Sequence, residues 1–160
     1  MLAKVNIFLL LYSENFLFMK NPIDVSDLLP QKYPFKMVDF LHFADENNIE
    51  TSFAILPENV LQTDSFFTEG GMLENIAQSA AAGTGYFLSQ QKKDIPVGYI
   101  GAIKHVKITQ LPKVNDTIHT FIETKNKIGN ASIVEGKIFL QKNCIASCEL
   151  TIFVQQNESL

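Results

Sequence analysis

Residues 64–91 read DSFFTEGGMLENIAQSAAAGTGYFLSQQ and form the only long helical pattern in the sequence. Their apolar residues recur at spacings of three and four, so they would cover a broad arc of a helix with 3.6 residues per turn. We therefore expect this helix to be largely buried. The apolar arc consists of Met72, Leu73, Ile76, Ala77, Ala80, Ala81, Thr84, Phe87 and Leu88.

Two polar residues, Glu74 and Gln78, interrupt this arc one helical turn apart on the same face. The rest of the helix is small, with Ser79, Ala82 and Gly83, so a sheet or a second helix can approach its backbone closely. Burying an unpaired carboxylate would cost several kcal/mol or force the group to protonate. We therefore expect Glu74 to have either a partner or a chemical role.

The composition indicates one globular domain that does not bind nucleic acid. The 160 residues are 46% apolar and 19% charged, which is enough apolar content for a core. The net charge is -4, whereas a phosphate-binding surface needs a basic excess. All 13 basic residues are Lys, so the chain has no guanidinium for bidentate binding of carboxylates or phosphates.

The two cysteines, Cys144 and Cys148, are four residues apart in a strand-like run without a His at metal-binding spacing. We interpret them as reduced thiols of a cytoplasmic protein. We predict no metal site and no cofactor.

The first eighteen residues differ in character from the remainder. Their apolar run is broken at residues 13–15, well short of the roughly 20 residues that a membrane span requires. A small-residue cleavage site of the kind that signal peptides carry does not follow the run. We expect residues 1–18 to be either an extension from an upstream start site or an N-terminal helix, and residues 19–160 to form a single domain.

The remainder of the chain has the pattern of β-strands. In residues 145–154 apolar side chains alternate with polar ones, which indicates a sheet with one buried face. The order strand, strand, long helix and four strands predicts an α+β domain with one antiparallel sheet of six strands. The helix can be capped by Asp64, Ser65 or Thr68. The first predicted strand ends near Phe43, and the others span residues 49–56, 97–108, 117–125, 132–140 and 145–154.

Two motifs resemble a known family. Residues 29–35, LPQKYPF, with Met37, Val38 and Asp39 are similar to the Leu-Pro-His-Arg-Tyr-Pro-Phe-x-x-Val-Asp opening of the β-hydroxyacyl-acyl-carrier-protein dehydratases. Residues 74–78, ENIAQ, resemble the Glu-Ala-x-Ala-Gln of their central helix. The resemblance covers residues 28–155 and implies the hotdog fold, in which a six-stranded antiparallel sheet wraps around one long helix.

The resemblance implies a site built on a carboxylate and a His. In that family a His of one subunit acts with a carboxylate on the central helix of the other, while N–H groups at the helix start hold the thioester carbonyl. Glu74 falls at the carboxylate position. Gly70 and Gly71 fall close to the N–H position, where glycine lets a thioester approach the positive end of the helix. We also count Gln78 among the substrate-binding candidates.

The family's His has no counterpart here. It belongs to a His-Phe-Pro segment before the carboxylate, where residues 58–62 of this chain read ENVLQ. His105 is expected to face solvent, and His42 and His119 are expected to be structural. A lone Glu74 would then have to act as both acid and base in the dehydration.

Two further carboxylates are candidates near the helix start. Glu69 directly precedes the glycines and Asp64 lies about one turn earlier, so both could face the same cavity as Glu74. Such an arrangement is also typical of hotdog thioesterases. Alternatively, Glu69 is a first-turn acid favoured by the helix dipole, and Glu74 is a capping-box residue or a structural partner of Gln78.

Three functions follow from these residues. The first is a 3-hydroxyacyl-acyl-carrier-protein dehydratase of fatty-acid or polyene-like lipid synthesis, and the second is a thioesterase. The third is a non-catalytic acyl-binding subunit of a dehydratase complex. We expect acyl-ACP or acyl-CoA as substrate and a homodimer, higher homo-oligomer or hetero-oligomer with a related hotdog subunit. A basic rim for an acidic carrier protein, or a plain solvated face, would consist of Lys92, Lys93, Lys104, Lys107 and Lys113.

Overall fold

The computed structural model describes residues 21–155, and the expected N-terminal extension lies outside this range. The described residues form one main antiparallel sheet with a long helix, α1, packed against one face, which confirms the α+β prediction. Helix α1 spans Glu69–Gln90, and the strands are β1 Ile23–Asp24, β2 Phe40–Ala44, β3 Asn48–Ala54, β4 Gln62–Thr63, β5 Phe66–Phe67, β6 Gly98–Ile108, β7 Thr117–Ile128, β8 Ala131–Leu140 and β9 Asn143–Val154.

The main sheet has seven strands in the order β1-β2-β3-β7-β8-β9-β6, one more than the six predicted. The additional strand is the two-residue β1, which pairs through Ile23 with Leu41 of β2. A 3-10 helix at Val25–Asp27 follows β1 directly. Two strand residues are too few to show a period in the sequence, so the pairing could not be predicted.

A small hairpin, β4–β5, lies between strand β3 and helix α1. Its turn consists of Asp64 and Ser65, with φ of 52° and 66°. The hairpin carries Phe67 into the core, where the ring is fully buried and lies 5.7 Å from the ring of Phe53. The connection therefore fixes the start of helix α1 against the sheet.

Helix α1 starts after Thr68, the third of the three predicted caps. The Thr68 hydroxyl oxygen accepts a hydrogen bond from the Gly71 N–H at 3.2 Å. Farther along, the helix approaches the sheet closely because Gly83 leaves room for the side chain of Ile49. Helix α1 contacts strands β2, β3, β6, β7, β8 and β9, so its buried face forms the centre of the core.

The two faces of the sheet carry different side chains. On β3, Ile49 and Thr51 face the helix, and Thr51 shares a 2.7 Å hydrogen bond with Ser79 of α1. Since side chains alternate along a strand, Glu50 and Ser52 belong to the opposite, outer face. Strand β6 stands at one edge of the sheet, and nearly all of its residues are exposed.

Candidate active site

Glu74 lies in the second turn of helix α1 and is half-buried. Its Oε1 accepts a hydrogen bond of 2.8 Å from Nε2 of Gln78, one turn later. The expected pairing of these two residues is therefore present. The pairing orients the carboxylate without neutralising it, because the amide of Gln78 is uncharged.

Gln78 also holds the segment that precedes strand β2. Its Oε1 accepts from the Met37 N–H at 2.8 Å, and its Nε2 donates to the Phe35 carbonyl at 2.8 Å. The side chain is 2% exposed, and every polar atom of its amide group has a partner inside the chain. Gln78 therefore joins Glu74 to the segment around Phe35 and Met37, and its predicted role in substrate binding stays a prediction.

Asn75 forms a second set of buried hydrogen bonds, which was not predicted from the sequence. Its Nδ2 donates to the Met37 carbonyl at 2.7 Å, and its Oδ1 accepts from the Thr120 hydroxyl at 2.5 Å. Asn75 is fully buried beside Ile76 and Gly71 on the helix. The position of this polar residue on a buried helix could have indicated its role, since a buried polar group is almost always hydrogen-bonded.

The two glycines at the helix start have different environments. Gly71 is buried, and a Cβ there would lie 2.5 Å from the ring of Phe67. Its N–H is occupied by the Thr68 cap. Gly70 is exposed, and a Cβ there would have Thr68 Oγ1 at 3.9 Å as its nearest neighbour. Of the two predicted carbonyl-binding amides, that of Gly70 is the accessible one.

The other two candidate carboxylates are on the surface. Glu69 is the exposed first residue of α1, where its charge complements the positive end of the helix. Asp64 is exposed at the tip of the β4–β5 turn. Within residues 21–155, neither Glu69 nor Asp64 forms a hydrogen bond with Glu74, and their predicted roles stay predictions.

The imidazoles of His42 and His119 lie on the outer face of the sheet. Nε2 of His42 is 2.7 Å from Ser52 Oγ, and the His42 and His119 rings are 5.5 Å apart. Nδ1 of His119 lies 3.5 Å from Oε1 of Glu50, but the two groups are not oriented to form a hydrogen bond. The pKa of His42 lies below 6.5, mainly because the imidazole is partly buried. The charge of Glu50 raises this pKa, and the charge of His119 lowers it.

His105 is also remote from Glu74. It is exposed at a bulge in β6 with φ of 53°, and it lines an outer groove with Lys125, Glu135 and Glu149. All three His of the sequence lie within residues 21–155, where none forms an ion pair or hydrogen bond with Glu74. One protomer therefore supplies a carboxylate without an imidazole beside it.

Apolar residues are incompletely covered both next to Glu74 and on the edge strand. On the helix, Leu73 and Ala77 are half-buried and Ala81 is exposed, on the side of Glu74 away from Gln78. On strand β6, Ile100 and Ile103 are 45% and 42% exposed. Exposed apolar residues on an unpaired edge strand are typical of a surface that an associating subunit covers.

In residues 21–155, His, Cys, Asp and Glu side chains do not gather in a group of three or more that could hold a metal ion. Within the same range, helix α1 included, no helix has the length and apolarity to cross a membrane.

The sheet, the buried helix and its carboxylate define the chain as a hotdog-fold protein. Residues 23–160 match the ApeP-like family, described as ApeP dehydratase. The 3-hydroxyacyl-[acyl-carrier-protein] dehydratase FabZ of Clostridium kluyveri is 22% identical over 134 residues, which cover 82% of this chain and 93% of its own. The chain belongs to the ApeP-like family and is a hotdog protein of the dehydratase-like, acyl-thioester-processing type.

Solved structures share the fold. A chain of the dehydratase heterocomplex ApeI:P from Xenorhabdus doucetiae has a TM-score of 0.76 at 15% identity, covering 85% of this chain and 93% of its own. A hypothetical thioesterase with coenzyme A from Streptococcus pneumoniae TIGR4 has a TM-score of 0.60 at 11% identity, covering 74% and 87%. At these identities the likeness establishes the hotdog fold alone.

Proposed function

We propose that this chain is the carboxylate-bearing subunit of a 3-hydroxyacyl-thioester dehydratase whose imidazole comes from a different hotdog subunit. The observation that carries the proposal is the position of Glu74. Its carboxyl group is oriented by Gln78 on a helix face that also carries Leu73 and Ala77, while His42, His105 and His119 occupy the outer face or the exposed β6 bulge.

The oriented carboxyl group of Glu74 suits the step of the dehydration in which the β-hydroxyl group leaves. The α-carbon of the thioester loses a proton to the partner's imidazole, and the C–O bond to the β-hydroxyl breaks. The departing oxygen takes a proton from the Glu74 carboxyl group and leaves as water, and the imidazolium then returns a proton to Glu74. The accessible Gly70 N–H would hold the thioester carbonyl, where the helix start favours developing negative charge.

A second copy of this chain would bring no counterpart of the family's His. A homodimer joined along β6 would bring His42 and His119 on its own outer face, as in the first protomer, and His105 at the exposed β6 bulge. A related subunit that carries the family's His would supply the missing group instead. The similar ApeI:P structure is that of a dehydratase heterocomplex, which supports such a pairing.

The substrate would arrive as an acyl-carrier-protein or coenzyme A thioester. The five lysines of the predicted basic rim are all exposed, and Lys92 and Lys93 follow the C-terminal end of α1. Exposed ammonium groups can steer an acidic carrier protein even when the total charge is negative. The carrier and the homo- or hetero-oligomer remain part of this proposal.

Complementation tests the proposal. The purified chain is assayed with a 3-hydroxyacyl thioester alone, and again after coexpression with a hotdog dehydratase subunit that carries the His-Phe-Pro segment. We expect enoyl thioester from the complex and no turnover by the isolated chain. Full activity of the isolated chain would contradict the proposal, and release of free acid instead of enoyl thioester would indicate a thioesterase.

A further inference from the structure

Phe35 is a large apolar side chain that is 63% exposed and adjoins the candidate acid. Its carbonyl oxygen and Oε1 of Glu74 each lie 2.8 Å from the same atom, Nε2 of Gln78. The two acceptors are therefore neighbours, so the backbone of Phe35 borders Glu74.

The backbone that carries Phe35 is held firmly in place. Met37, two residues later, donates its N–H to Oε1 of Gln78 at 2.8 Å and accepts at its carbonyl from Nδ2 of Asn75 at 2.7 Å. Met37 itself is fully buried, and both clamping side chains are buried as well. An exposed aromatic ring on such a fixed backbone is suited to contact a ligand, because little order is lost on binding.

The helix side of Glu74 turned away from Gln78 is apolar. It carries Leu73, Ala77 and Ala81, of which Leu73 and Ala77 are half-buried and Ala81 is exposed. An acyl chain that approaches Glu74 along the helix would contact these side chains.

We propose that Phe35 contacts the acyl chain next to the reacting carbons and determines which chain lengths the site accepts. The proposal rests on the dehydratase function proposed above, because it takes Glu74 as the reacting group. The ligand class is a thioester with an apolar acyl chain of several carbons, since a short chain would end before it reached Ala81.

Binding to a variant without turnover tests this inference. The complex of the full chain with its His-bearing partner is prepared with Glu74→Gln, and 3-hydroxyoctanoyl-pantetheine and 3-hydroxybutanoyl-pantetheine are titrated by calorimetry. Adding Phe35→Ala should weaken binding of the eight-carbon ligand roughly tenfold while changing that of the four-carbon ligand less than about twofold. The matched control is Ile128→Ala, which alters an apolar residue that is 62% exposed in the β7–β8 hairpin.

The outcomes separate this inference from the proposed function. If the Glu74→Gln complex binds neither thioester, the proposed function fails. If it binds both and Phe35→Ala weakens both equally, or leaves both unchanged, the role of Phe35 in chain selection is refuted. Sedimentation is measured in parallel, and dissociation of the complex by both Phe35→Ala and the milder Phe35→Leu would make Phe35 a subunit contact and overturn the inference.

Discussion

Nε2 of Gln78 lies 2.8 Å from Oε1 of Glu74, one helical turn away. The same amide group binds the Phe35 carbonyl and the Met37 N–H. One side chain therefore joins the candidate acid to the segment that borders it. This linkage explains why a polar residue is stable on the buried side of an apolar helix.

The Gln78 linkage predicts a large effect of its removal. Gln78→Leu would leave the buried Met37 N–H without a partner and remove the part-buried bond to the Phe35 carbonyl. We expect the free energy of unfolding, measured with urea, to fall by about 1–4 kcal/mol, since an orphaned buried group costs roughly 1–3 kcal/mol and a part-buried bond costs less. A loss below about 0.5 kcal/mol would contradict this role.

The double glycine predicts opposite effects at adjacent positions. A methyl group on Gly71 would meet the Phe67 ring, so Gly71→Ala should destabilise the fold by about 1–3 kcal/mol. Gly70 has open space, so Gly70→Ala should be neutral or stabilise by up to about 1 kcal/mol through its higher helix propensity. Thermal unfolding of the two variants checks this, and equal effects would refute the distinction.

The lowered pKa of His42, on the outer face of the sheet, predicts that the fold is less stable in acid. Burial lowers the pKa of His42 below 6.5, so the unfolded chain takes up this proton at a higher pH than the folded chain. This contribution to stability is present above about pH 6.5 and is lost as the pH falls through the lower, folded-state pKa. Urea unfolding from about pH 7.5 to about pH 5 should show a smaller decline for His42→Gln than for the unmodified chain.

The exposed edge strand predicts a specific effect on assembly. Ile103 lies on β6 and is 42% exposed, so Ile103→Glu would place a charge on the surface expected to be covered by a partner. We expect sedimentation to show dissociated subunits with an unchanged circular dichroism spectrum. The control Ile128→Glu, in the β7–β8 hairpin, should leave the assembly intact. Equal effects of the two changes would exclude β6 as the interface.

Long periodic segments could be predicted from the sequence. The apolar spacing around Met72 and Ile76 is that of a buried helix, and both residues are fully buried. In β9 the predicted alternation places Cys148 and Leu150 in the core, at 2% and 0% exposure. These predictions succeeded because each element buries one face against the same core. The spacing of apolar residues within that element therefore shows whether it is a helix or a strand.

Features that depend on distant residues could not be predicted in this way. The role of Asn75 requires Met37 and Thr120, which are 38 and 45 positions away in the sequence. The different environments of Gly70 and Gly71 depend on where the β4–β5 hairpin places Phe67. The short strands β1 and β4 have two residues each, too few for any period to appear.

The central claim concerns Glu74, and the most direct measurement is the rate of enoyl-thioester formation by the complex of this chain with a His-bearing hotdog subunit. The comparison is between the unmodified chain and Glu74→Gln, which retains an acceptor for Gln78 and should keep the assembly intact. We predict that the rate falls at least about a hundredfold, the usual contribution of a positioned acid or base. An unchanged rate in an intact complex would show that this chain contributes no reacting group.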